Sequence, residues 1–205
     1  MILRPTHGFT LIEVILVVFM TSVITAVMVR FISIGHPLAK ITYLQTQSTE
    51  TARVQLKRLA NTLREARPSD TGAYALVETS PQRLIFYANV DGDAATERIR
   101  YELSGTSLTR GVTEPSGNPI VYNIAQENAR VVATLIRNGT DPLFTYYTGD
   151  YPVDPSPLPS TSIGSVKYIQ FRLLIDADVA VDPSAAEVVS QVQLRNLKTN
   201  LGEGS

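Results

Sequence analysis

The chain has 205 residues, no cysteine, no tryptophan, two histidines (His7 and His36) and a formal net charge of −1. From Pro37 onward there is neither His nor Cys, which excludes Ser-His-Asp and Cys-His catalysis and any His- or Cys-ligated zinc or copper site in that stretch; disulfides are excluded throughout. The length suffices for one ordinary domain plus an additional element, with a core that needs no cross-links.

Phe9 to Val29 holds a single charged residue, Glu13. A helix rising about 1.5 Å per residue needs ~20 apolar residues to cross a bilayer's hydrocarbon core, and this run supplies them. Arg30 ends the run, and Gly35-His36-Pro37 is expected to interrupt the helix, because proline lacks an N–H and crowds the preceding turn. A cleaved secretory signal fits poorly. Its apolar core would be shorter and followed by a small-residue site. A plain membrane anchor leaves Glu13 unexplained, since an ionised carboxylate in hydrocarbon costs about 2.5–3.5 kcal/mol or more. Cleavage after Gly8 would give Glu13 a meaning. It would place a new α-amino group on Phe9, one helical turn from that carboxylate, and a neighbouring subunit's amine could pair with it equally well.

Gly8-Phe9-Thr10-Leu11-Ile12-Glu13-Val14, behind a short leader with one arginine (Arg4), resembles the class III signal of type IV prepilins and pseudopilins. That resemblance implies cleavage between Gly8 and Phe9 by a membrane-embedded prepilin peptidase and N-methylation of Phe9 by the same enzyme. It further implies a role for Glu13 in aligning each helix with its neighbour in a fibre. It also places the N-terminus in the cytoplasm, which the weak excess of flanking cations does not decide.

Leu38 to Arg67 is expected to form a second, amphipathic helix. Ile41, Leu44, Ala52, Leu56, Leu59, Leu63 and Ala66 recur at spacings of three and four, apart from a polar gap at 45–51 read as an exposed waist. Between Lys40 and Arg67 six basic residues face two acids. The preferred reading is a solvated face; contact with acidic partners or lipid headgroups is the alternative. Pro68 follows the last basic turn, where cations complement the helix dipole.

Beyond Pro68 the period becomes that of strands. Segment 84–112 is expected to be a three-strand antiparallel meander, with Ile99, Tyr101 and Leu103 alternating against Arg98, Arg100 and Glu102. Ile120–Ile124, Ala129–Ile136 and Leu143–Tyr147 are further short apolar runs. Four prolines make 150–162 an exposed irregular loop. Val166–Ile175 looks like a central strand, and Glu187–Arg195 is expected to return antiparallel to it. This order resembles the minor pilins and minor pseudopilins of the J and W kind. The likeness rests on the Phe86-Tyr87…Asp91-Gly92-Asp93 hairpin leading into Arg98–Tyr101, the Leu143–Tyr147 strand, and Val192–Leu197. The absence of a cysteine pair departs from the disulfide-looped major pilins.

The chain is thus expected to be α+β. A leader at 1–8 precedes a membrane or filament-core helix at 9–34 and a stem helix at 38–67. An antiparallel sheet head at 68–205 completes a pilin-like fold. Asp91, Asp93 and Glu97 offer oxygens in the spacing of a hard-cation loop, although a tight hairpin turn is the preferred reading and no EF-hand pattern is complete. Tyr146, Tyr147 and Tyr151 read as core or rim rather than a sticky patch. Asn138-Gly139-Thr140 reads as a turn rather than a glycosylation site, and Asp176 with Asp178 as a strand end rather than an acid–base pair.

The expected function is a non-enzymatic structural subunit, without cofactor, of a type IV pilus-like or type II secretion filament. Its partners would be prepilin peptidase, the membrane before assembly and other subunits afterwards, with the head on the extracytoplasmic side of a bacterial inner membrane. A DNA-uptake or adhesive tip module remains open, although ten basic residues against sixteen acids from Pro68 onward disfavour phosphate binding. A membrane-tethered enzyme remains open as well.

Overall fold

A computed structural model of the chain describes residues 8–176 and 185–194, with the backbone alone for 34–38. The chain divides into two compact units, the first ending at Tyr43 and the second beginning at Leu44. The α+β class is as expected. The helical stem from Leu44 onward belongs to the same compact unit as the strands.

The long N-terminal helix, α1 (Leu11–Arg64, 54 residues), is present as expected but without the interruption. Gly35-His36-Pro37 does not break it. A proline removes one hydrogen bond of the ladder, at a cost of about 3 kcal/mol, and the many turns on either side keep the rest. The helix also stops at Arg64, three residues short of expectation. Its last N–H groups shift to i→i−3 partners, Glu65 to Thr62 O and Ala66 to Leu63 O, and the Arg67 N–H donates to Tyr87 O instead.

Within the first unit, Leu11–Ser33 is long and apolar enough to cross a membrane, with a mean hydropathy of 2.5 and none of it buried. Its hydroxyls are satisfied inside the helix. Thr21, Ser22, Thr25 and Ser33 each donate to a carbonyl one turn back, at 2.6–2.9 Å, so they add little polar cost in an apolar medium.

Among its described residues the second unit carries ten strands, all paired antiparallel. A five-stranded sheet runs in the order β1 (Leu76–Thr79), β2 (Arg83–Ala88), β3 (Glu97–Ser104), β4 (Ser107–Thr113) and β7 (Asn128–Ala133). Strands β5 (Pro115–Ser116) and β6 (Val121–Tyr122) form a small ribbon between β4 and β7 in the chain. A three-stranded sheet places β9 (Tyr168–Ile175) between β10 (Ala186–Gln193) and β8 (Phe144–Tyr147). The expected meander and the central strand are both present. Strands β1, β5 and β6 were not anticipated, being short and without alternation.

The apolar face of α1 is buried in the core of this unit. Ala52, Leu56, Leu59, Ala60 and Leu63 join Leu84, Phe86, Ile99, Tyr101, Phe144, Ile169 and Phe171 in one cluster. Each buried leucine contributes about 1.5–3 kcal/mol relative to an exposed one. Phe86 stacks on Tyr101 with ring centres 6.5 Å apart, and Phe144 meets Phe171 edge-on at 5.9 Å. The waist is less exposed than expected. Gln45, Ser48 and Thr49 are half-buried, and the Gln45 amide donates to Ile175 O.

One cross-strand device deserves a test. Arg100 donates from Nε and Nη2 to the Glu127 carboxylate, at 3.0 and 2.6 Å, and also pairs with Glu102. Gly111 on β4 lies opposite Arg100 and makes room for this reach, because a Cβ there would fall 2.2 Å from Glu127 Oε1. The Arg100 guanidinium holds the Glu127 carboxyl below its usual value. That stability is present above the unfolded carboxylate pKa and is lost as pH falls through the lower folded value. Gly111→Ala is therefore expected to displace Glu127 and destabilise the head by about 1–3 kcal/mol at neutral pH, with a smaller loss on acidification than wild type. Urea denaturation at neutral pH and near pH 4 checks both; an unchanged midpoint overturns the account.

Candidate functional site

Gly8, Phe9 and Thr10 precede the first turn of α1 as exposed, non-helical residues. Thr10 caps the helix. Its carbonyl and, at 3.4 Å, its Oγ1 accept from the Glu13 N–H. Thr10-Leu11-Ile12-Glu13 thus has the spacing of a capping box, and an acid in the first turn also complements the helix dipole. This spacing was legible in the residues and went unnoticed beside the Gly8-Phe9 pair. The expected cleavage position, Gly8-Phe9, lies in this exposed stretch, and Phe9 is 81% exposed. Residues 1–7, including the rest of the leader, lie outside the described residues.

The second candidate is the hairpin turn between β2 and β3. Gly92 takes a φ of 83°, the left-handed conformation for which glycine is suited. Asn89 Oδ1 accepts from the Gly92 N–H, Asp91 Oδ1 from Asp93 and Asp93 Oδ1 from Ala95. The preferred hairpin reading therefore holds, and the turn also brings the three acids together. Carboxylate oxygens of Asp91, Asp93 and Glu97 all lie within 4.8 Å of one another. Asp91 and Asp93 are exposed, whereas Glu97 is fully buried. Glu97 leads the buried face of β3, in register with Ile99 and Tyr101. Its Oε2 accepts from the Val90 N–H at 2.7 Å, and its Oε1 has no partner among the described residues. Burial pushes the Glu97 carboxyl above its ordinary value, and the charges of Glu114 and Asp91 push the same way. Glu114 is raised by burial and by Asp91 and Asp93.

The far end of the turn is pinned from three sides. Arg67 donates to Thr96 Oγ1 and Ala95 O, Asp70 Oδ2 accepts from the Thr96 N–H, and Tyr122 donates to Thr96 O. Arg67 is thus a clamp, not part of a solvated face. Sequence spacing did not point to Glu114 or to these anchors, whose four bonds each join residues 26 or more positions apart.

The remaining candidates resolve as structural residues. Tyr146 and Tyr147 are buried and donate to Ser80 O and Gln170 Oε1; half-buried Tyr151 packs on Tyr147 and Tyr168 with ring centres 4.3 and 5.5 Å away. Asn138 is buried, donating to Arg172 O and accepting from the Leu174 N–H, so its amide nitrogen is committed to the fold. Asp176 is buried just past the end of β9, while Asp178 and the segment from Arg195 lie outside the described residues. No family model and no curated protein matches this chain.

Proposed function

We propose that this protein is a structural subunit of a type IV pilus-like or type II secretion filament. It would be processed between Gly8 and Phe9 and assembled through the N-terminal half of α1. The observation that carries the reading is the 23-residue apolar segment Leu11–Ser33, wholly unburied, with Glu13 in its first turn and Gly8-Phe9 immediately before it. An apolar surface of this extent needs a cover. Lipid supplies it before assembly, and the equivalent helices of neighbouring subunits supply it afterwards. The lone acid then calls for a cationic partner in that apolar environment, and the α-amino group of a processed Phe9 is one. The head presents its antiparallel sheets at the fibre surface.

The test is processing. Co-expressed with a prepilin peptidase, the wild-type chain is expected to lose residues 1–8, read as intact mass, while Gly8→Ala retains them. Unchanged processing of Gly8→Ala, or no cleavage of wild type, overturns the assignment.

A further inference from the structure

We propose that the β2–β3 turn is a calcium site formed by the carboxylates of Asp91, Asp93 and Glu97. Each uses one oxygen to accept a backbone N–H, and the second oxygen of Glu97 is buried without a partner among the described residues. Buried Glu97 is the decisive member. A carboxylate oxygen that is buried and unpaired loses its hydration without replacement, unless a cation supplies the missing contact. Among the described residues no ion pair reaches Asp91, Asp93, Glu97 or Glu114. Arg58, Arg110 and Arg130 line a groove beside Asp91 and Glu114, yet none of them closes on these carboxylates.

The geometry suits calcium. Metal–oxygen distances of about 2.3–2.6 Å let ligands on opposite sides of one ion lie roughly 4.6–5.2 Å apart, and the three oxygens fall within that span. Calcium accepts irregular oxygen sets completed by water, whereas magnesium demands a tighter octahedron and gives up water reluctantly. The Arg67, Asp70 and Tyr122 anchors hold the Glu97 side of the turn in place beforehand, which lowers the cost of ordering it. The bound ion would staple the exposed turn to the buried end of β3. This proposal is independent of the filament reading and is tested separately from it.

The full chain in detergent, freed of metal with EDTA, is titrated with calcium by calorimetry and melted with near-UV dichroism as the readout. The expected Kd is about 0.1–1 mM. The head midpoint should rise by about 5 °C at a hundredfold excess over Kd. Magnesium at the same concentration should do markedly less. Asp93→Asn keeps an oxygen for the Ala95 N–H and should melt like wild type in EDTA, while its calcium affinity falls at least about tenfold. Glu97→Gln keeps an acceptor for Val90, relieves the buried charge and should raise the midpoint in EDTA while abolishing the rise with calcium. No calcium heat or shift in wild type overturns the proposal. So does a wild-type calcium response in either variant, or an equal response to magnesium.

Discussion

Glu13→Val is expected to yield a subunit that is cleaved normally after Gly8 and yet enters filaments at about a tenth of the wild-type level or less. Peptidase recognition depends on residues at the cut, and Glu13 lies a full turn beyond it. Assembly is different, because in the proposed filament it would move α1 from lipid into contact with other helices. A carboxylate paired there with an amine would contribute both attraction and register. Removing one partner leaves the other charge uncompensated in an apolar setting, at a cost of about 3–5 kcal/mol, when ~1.4 kcal/mol already corresponds to a factor of ten. Thr10 Oγ1 accepts from the Glu13 backbone N–H, a contact that any residue at this position keeps. Glu13→Gln isolates the charge, since glutamine keeps the length and hydrogen-bonding capacity of the side chain. Quantifying each variant in sheared filaments against its membrane pool reads the result. A Glu13→Gln subunit as defective as Glu13→Val supports charge pairing. Wild-type incorporation of Glu13→Val overturns it.

Leu59→Ala is expected to cost the head about 2–5 kcal/mol, a large share of the total for a domain of this size. Leu59 is 0% exposed in the core where α1 meets the strands. The cluster it belongs to includes aromatic and branched side chains from the helix and from both larger sheets, so the cavity left behind is expected to close only in part. Val54 provides the control. It lies on the opposite side of the same helix and is 61% exposed, so Val54→Ala should shift stability by no more than about 0.5 kcal/mol. Urea denaturation followed by tyrosine near-UV dichroism measures both. Equal midpoints for the two variants would contradict the packing of α1 described above.

These results show which features the residues declare and which they conceal. The buried face of α1 was legible because leucines and alanines at spacings of three and four must share a side. Strands β3, β9 and β10 were legible because alternation of apolar and polar residues reports a half-buried surface. Strand β1 escaped notice since Leu76–Thr79 is four residues with no clear period, and the two-residue β5 and β6 lie below any pattern. The helix break at Pro37 was inferred from a local penalty that the long ladder around it absorbs.

The candidate site divides in the same way. Gly8, Phe9 and Glu13 form one contiguous motif, whose spacing is local and needs no fold to be read. Asp91 and Asp93 announce a turn, and the alternation of β3 already places Glu97 on the buried side. Its unpaired oxygen, the approach of Glu114 and the Arg67 clamp depend on segments far apart in the chain. So does the reach of Glu127 over Gly111 to Arg100.

The sequence by itself determined an apolar rod bearing one acid, a stem with one greasy face, and a cysteine-free antiparallel head. Each follows from periodicity or composition, which are properties of neighbours along the chain. Only the tertiary structure decided that the rod and stem are one helix and that Glu97 is buried without a full set of partners. Burial and pairing are set by strand register and by what packs across from each side chain, and neither is a local quantity.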